Sequence, residues 1–383
     1  MKTAILKSNY SMQNAIKYKA LILLTAVVAF SGCRKIFDLP EEKDYLSTRA
    51  NYNGDKTYYF RLGRTELRSN VFNPDGSNFP MTFEIRNPRF GDGRDASDML
   101  QVKPTLVWTG EYNGLEKSLA EIEAKRKLED RPMIEVRGSG DLVFWNTTSR
   151  ALKPRDSVVL PQDIRYIDMK ITNSGGTKII KDLAIIPEID IPYWPDADIN
   201  LITGKPNTQN VNSKVRVYNR PALSNIIGET TNQQINGDQA STGLVYTYIR
   251  KFTDDPNGHR LRIKFLNRDS VAMNPGLFNE TKWENQVHGF NEAGTAPGYV
   301  INSEYVEYNV AYPIPLARVP TRYTNGGLQG SGDAAHLEFR YSRIGFGGTR
   351  QTSTIFQDFR IYEKGDWEIV FHFKTVNPKF ANE

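Results

Sequence analysis

From Thr57 onward, apolar and polar positions alternate with a period of mostly two, the spacing of strands with one buried and one wet face. "MTFEIR" (81–86) alternates in this way, and "PMIEVRGSGDLVFWN" (132–146) reads as two strands about a Gly-Ser-Gly turn. "IDMKITNSGGTKIIKDLAII" (167–186) sets Ile167, Met169 and Ile171 on one face, turns at Asn-Ser-Gly-Gly and returns as a second strand. The alternation is cleaner further on. In "RLRIKFL" (260–266), Leu261, Ile263 and Phe265 interleave with Arg260, Arg262 and Lys264. In "HLEFRYS" (336–342), Leu337, Phe339 and Tyr341 interleave with His336, Glu338 and Arg340. "IFQDFRIYEKGDWEIVFHF" (355–373) predicts a hairpin closed around Glu363-Lys364-Gly365-Asp366.

Two stretches depart from the period. "NGLEKSLAEIEAKRKLED" (113–130) predicts one helix over 114–130, capped by Asn113 with Glu116 reaching back, and stopped at Arg131-Pro132. Leu115, Leu119 and Ile122 share its apolar face, with Glu121–Lys125 and Glu123–Lys127 as i,i+4 pairs. "PEIDIPYWPDADINLITGKPNT" (187–208) carries four prolines and no sustained period, as a linker would. The predicted fold is mainly β: two antiparallel β-sandwich domains, immunoglobulin-like or jelly-roll-like, with one helix in the first. The first domain is expected over 51–190, a linker over 191–208 and the second domain over 209–383.

The first 33 residues are of another kind. Lys17 and Lys19 precede an apolar run from Ala20 to Phe30, which ends in Ser31, Gly32 and the chain's single cysteine, Cys33. Eleven apolar residues fall short of the roughly 20 that a membrane span needs, and suit a secretory signal. The signal starts at Met1 or at Met12. Phe-Ser-Gly-Cys resembles the bacterial lipobox, which implies that Cys33 becomes an acylated N-terminus; the alternative is an ordinary cleaved signal with an incidental cysteine. Several acyl chains on one residue would anchor the chain stably to a bilayer. Residues 34–50, polar and mixed in charge, then form a tether of up to about 55 Å.

This signal changes the reading of charge. It holds Lys2, Lys7, Lys17 and Lys19 and no acid, so 49 basic residues less these four leave 45 against 44 acidic ones, a net of +1. The basicity belongs to the targeting segment, and no nucleic-acid partner is expected. With no cysteine beyond Cys33, no intramolecular disulfide can form.

Catalytic and cofactor motifs are missing from the sequence: no H-E-x-x-H, C-x-x-C, Walker loop or G-x-S-x-G occurs. "GFGGTR" (345–350) lacks the dinucleotide-binding spacing, and its glycines are expected in a turn or bulge. "DADIN" (196–200) opens like a calcium loop, but Leu201 and Asn207 stand where an EF-hand needs Gly and Glu. His259, His288, His336 and His372 are scattered, with His336 and His372 expected on wet strand faces. No cofactor and no metal are expected. Loop aromatics are the candidate ligand-binding groups, since flat rings stack on sugar faces: Tyr193, Trp194, Trp283, Tyr312 and Tyr323. The same rings could instead glue the two domains together. Trp145 and Trp367, in alternating strands, are expected in the core.

The strings "CRKIFDLPEEKDYLS", "EKSLAEIEAKR", "NSGG", "VHGFN", "YPIPL", "RIGFGG", "GDWEI" and "NPKF" extend over nearly the whole chain after the signal. Through them it resembles surface lipoproteins of Bacteroidota, in a family of unknown function often encoded beside starch-utilisation-type outer-membrane transporters. The resemblance implies outer-membrane anchoring through Cys33, at the cell surface or on the periplasmic face, and work beside a transporter complex. It transfers no active-site residue. The expected function is non-catalytic capture of glycan or nutrient; an adhesion or structural module with a protein partner is the competing class. Asp156-Ser157-Val158 and Asp269-Ser270-Val271 also resemble an O-glycosylation sequon of that phylum.

Overall fold

A computed structural model describes residues 44–147, 164–188, 191–195, 219–252, 255, 257–290 and 298–383. Cys33, the signal, residues 34–43, Asp156-Ser157-Val158 and "DADIN" lie outside the described residues.

Antiparallel strands dominate, gathered around two separate cores. In the first unit, a four-stranded sheet runs in the order Thr57–Arg61, Gly176–Glu188, Arg165–Asn173, Thr82–Phe90. Facing it is a three-stranded sheet of Glu66–Arg68, Leu142–Phe144 and Ile134–Val136. Ile167, Met169 and Ile171 are fully buried on the inner face, as the alternation predicts, and Phe60 stacks on Phe144 at 4.5 Å between the sheets. The predicted hairpins at Gly138-Ser139-Gly140 and at Asn173–Gly176 both form.

The second unit pairs a seven-stranded sheet with a four-stranded one. The larger sheet runs Asp238–Gln239, Gly243–Lys251, Trp367–Phe373, Arg260–Leu266, Tyr305–Asn309, Tyr299–Ile301, with Ala272–Met273 beside Arg260–Leu266. The smaller is built on Arg350–Ile361, which pairs with Ala335–Ile344, Ala222–Ser224 and Tyr193–Trp194. Leu261, Ile263, Phe265, Leu337, Phe339 and Tyr341 all point into the core between them. Phe265 meets Phe339 edge-on at 4.9 Å and Phe371 at 5.6 Å, so aromatic packing closes the sandwich. "GFGGTR" makes the turn between Ala335–Ile344 and Arg350–Ile361.

Four expectations need correction. The helix spans Leu119–Glu123 only, not 114–130. Gly114 sits at φ +77°, which no L residue holds inside a helix, and Arg126–Arg131 instead pairs as a strand with Lys103–Trp108. The cap lies at Ser118, whose hydroxyl accepts from Glu121 N at 3.2 Å. The segment 355–373 is no hairpin: Arg350–Ile361 and Trp367–Phe373 belong to opposite sheets, and residues 362–366 cross between them. Trp367–Phe373 is buried on both faces, which suits a central strand better than a hairpin arm. The tether ends earlier than residue 50, because Asp44 N is held by Ser174 Oγ at 2.8 Å and Ser47 and Ala50 are buried. Tyr193–Trp194 is likewise no linker, since it pairs with Ile361 and Arg360 of the second unit.

Candidate ligand-binding site

The five aromatic candidates are not brought together. Trp283 lies against Phe339 at 5.6 Å, its carbonyl accepting from the Tyr308 hydroxyl at 2.7 Å. Tyr312 donates its hydroxyl to Gly365 O at 2.7 Å. Both belong to the second unit's core, and Tyr323 is buried as well, so the ring faces expected to stack on a ligand are occupied. Tyr193 and Trp194 are half-buried: Tyr193 meets Trp367 edge-on at 5.7 Å, and the Arg360 guanidinium lies 4.9 Å over Trp194. Trp145 is half-buried rather than core, and Trp367 is buried as expected. His372 is buried, against the expectation of a wet face, while His336 is half-exposed and bonds Asp358 at 2.7 Å. Among the described residues no three His, Cys, Asp or Glu side chains converge as metal ligands would.

Two recesses among the described residues bear on a site. The first lies where the units meet. Ile122 of the first unit's helix and Tyr112 of the loop before it join Phe290, Ala311 and Leu316 of the second unit in a third apolar core. His288 is the polar centre of this seam, stacked on Tyr323 at 4.7 Å. Its Nε2 is 2.8 Å from the Glu116 carbonyl, which can only accept, so Nε2 carries the proton. Nδ1 therefore accepts from the Tyr112 hydroxyl at 2.7 Å. Burial pushes the His288 pKa below its ordinary value, overcoming the opposing pull of Glu116. The strings "VHGFN" and "YPIPL" meet here, yet the cavity between them is about 20 Å³, room for roughly one water. This is a joint. Arg64 adds a second tie between the units, its guanidinium 3.3 Å over Tyr362 and its Nη2 donating to Ile191 O at 2.9 Å.

The second recess, of about 210 Å³, opens on the outer face of the seven-stranded sheet and is lined by Phe252, Arg260, Arg262, Glu307, Asp366 and Trp367. Strand alternation builds it: the residues that interleave with buried Leu261 and Ile263 must face outward. Arg262 lies in register with Glu307 on the neighbouring strand and bonds its Oε2 at 2.9 and 3.3 Å. The Arg262 guanidinium also lies 4.0 Å over the Tyr305 ring and 5.5 Å from Phe252. Arg260 grips Asp366 through its side chain (Nε to Oδ2, 2.9 Å) and its backbone N (to Oδ1, 2.9 Å). Burial pushes the Asp366 carboxyl up, but the Arg260 hydrogen bonds outweigh it and hold the pKa below the usual range. Gly258 is required beside it, since a Cβ there would come within 2.1 Å of Asp366 Oδ1. Alternation alone makes Arg260 and Arg262 wet-face residues and nothing more. The usable signal was an outward Arg-x-Arg whose partners, Glu307 and Asp366, lie 45 and 106 residues away.

Residues 72–382, over half of the chain, match a family described as a domain of unknown function (DUF5007), and the chain belongs to that family. No curated protein and no solved structure matches it.

Proposed function

We propose that this member of the DUF5007 family is a membrane-anchored, non-catalytic lipoprotein that binds glycan or nutrient as an accessory to an outer-membrane uptake system. The observation that carries the reading is the outer-face recess, an open polar cavity beside aromatic rings on a rigid sheet. Its charged groups are tied in opposite pairs, with each carboxylate held by an arginine. That arrangement suits holding a hydroxyl-rich ligand better than attacking one, because an activated carboxylate would need a pKa moved toward neutrality, and Asp366 moves the other way. The lipobox-like Phe-Ser-Gly-Cys ending at Cys33 and the resemblance to Bacteroidota surface lipoproteins support the membrane anchor and the transporter partner.

A second reading, an adhesion or structural module with a protein partner, has its own observation in favour. On the ribbon of Lys103–Trp108 and Arg126–Arg131, Leu106 and Leu128 face each other in register and both are exposed. Val102, Leu115 and Leu119 are exposed on the same segment of chain. A glycan array probed with the full chain in detergent separates the two. Specific glycan binding supports capture; an empty array together with recovery of one cross-linked protein partner from intact cells supports adhesion.

A further inference from the structure

We propose that the outer-face recess binds a single neutral sugar ring, presented as the terminal residue or branch of a glycan. This rests on the reading of the chain as a glycan-binding accessory and adds the site and the class of sugar. Size sets the first limit. At about 210 Å³ the recess falls below the roughly 300–1,000 Å³ of sites that enclose larger ligands. It holds one ring and leaves the rest of a chain in solvent.

Charge sets the second limit. Arg260 is matched by Asp366 and Arg262 by Glu307, so the lining sums to zero. An anionic sugar would compete with carboxylates already in place, and a cationic one with guanidiniums already in place. A neutral ligand displaces neither.

The unused hydrogen-bonding atoms define the third limit. Both bonds from Arg262 end on Glu307 Oε2, and among the described residues no bond uses Oε1. Arg260 spends Nε and Nη2 on Asp366 Oδ2, and Arg262 spends Nε and Nη2 on Glu307. Among the described residues no bond uses Nη1 of either arginine, so two donors and the Oε1 acceptor remain in the same lining. A hydroxyl group both donates and accepts, so adjacent hydroxyls on a ring fit donors and an acceptor set side by side. Phe252 supplies the apolar wall against which the C–H face of the ring can lie. The polar groups are held before any ligand arrives: Asp366 by the backbone N and side chain of Arg260, Arg262 between Glu307 and Tyr305. Such pre-organisation reduces the ordering cost of binding.

The test is saturation-transfer NMR on the full chain in detergent micelles. The probes are the methyl glycosides of glucose, galactose, mannose, fucose and N-acetylglucosamine, with methyl glucuronide and sialic acid as charged counterparts. One or more neutral glycosides should show transfer, and Glu307→Gln should weaken binding at least tenfold. Phe252→Ala gives the same readout should Glu307→Gln fail to fold, and Trp194→Ala, outside the recess, should bind as the wild type does. Neutral glycoside binding that survives both recess substitutions overturns the site while leaving glycan capture standing. A preference for the charged sugars overturns the ligand class. No transfer from any glycoside, together with an empty glycan array, overturns both the site and the capture reading.

Discussion

His288 is held by two groups distant in sequence, Tyr112 at 176 residues and Glu116 at 172, and as a neutral imidazole it satisfies both through the Nε2–H tautomer. Glu116, Arg322, Tyr112 and Tyr323 are the titratable groups around it, and Lys125 holds the Glu116 carboxylate. Because the folded pKa is lowered, mainly by burial, the unfolded chain takes up a proton first, near pH 6.5. The stability this residue contributes is therefore complete above about pH 6.5 and is lost as pH falls from there through the folded pKa, at up to about 1.4 kcal/mol per pH unit. His372 is shifted the same way, by burial and then Lys374, so a variant is needed to separate them. Thermal melts between pH 7.5 and 5 should show His288→Gln less stable than wild type at pH 7.5 and with a shallower loss on acidification; equal slopes would remove His288 from the joint's pH response. Tyr112→Phe should cost about 1–3 kcal/mol at neutral pH by leaving Nδ1 without a donor. None of this was legible in the sequence, where four scattered histidines carry no pairing information.

Alternation located most of the strands and their inner faces, because a period of two is imposed by the pleat itself and survives whatever the partner strand may be. Leu261, Ile263 and Phe265, and Leu337, Phe339 and Tyr341, were readable one residue at a time for this reason. Partner choice was not readable. Trp367–Phe373 looked like the return arm of a hairpin and is instead a central strand of the opposite sheet, between Gly243–Lys251 and Arg260–Leu266. The 114–130 segment has helical spacing and, after Gly114, mostly helix-forming residues, yet Arg126–Arg131 gives its backbone bonds to a strand, since local propensity is weak against tertiary pairing. What survives of the helix has a specific task, which is to set Ile122, fully buried, into the seam between the units. Ile122→Ala should cost about 2–5 kcal/mol and speed limited proteolysis of residues 109–125. Wild-type proteolysis rates with lowered stability would place the loss elsewhere than at the seam. Ser118→Ala, which removes the cap, should cost about 1 kcal/mol.

At the scale of the whole molecule, two β-sandwich units are joined by a third small core and by Arg64 over Tyr362, and the outer-face recess lies wholly on the second unit. The candidate site was the least legible part of the sequence. Loop aromatics are natural candidates because rings bind sugars, but a ring in a loop is equally well used to fill a core, as Tyr312 and Trp283 do. The recess depends on charges matched across strands, and such matching exists only once register is set. The proposed lipid anchor depends on Cys33 alone and is testable independently of the fold. Cells fed a clickable fatty acid should label the wild-type chain and not Cys33→Ala; equal labelling of the two would remove the lipid anchor from the account. Native electrophoresis through gels containing neutral polysaccharides, with reducing ends assayed in parallel, distinguishes capture without turnover from hydrolysis and from no binding at all. The full chain should be retarded by at least one polysaccharide and release no reducing ends from it. Unretarded migration in every gel, or release of reducing ends, would contradict capture without turnover.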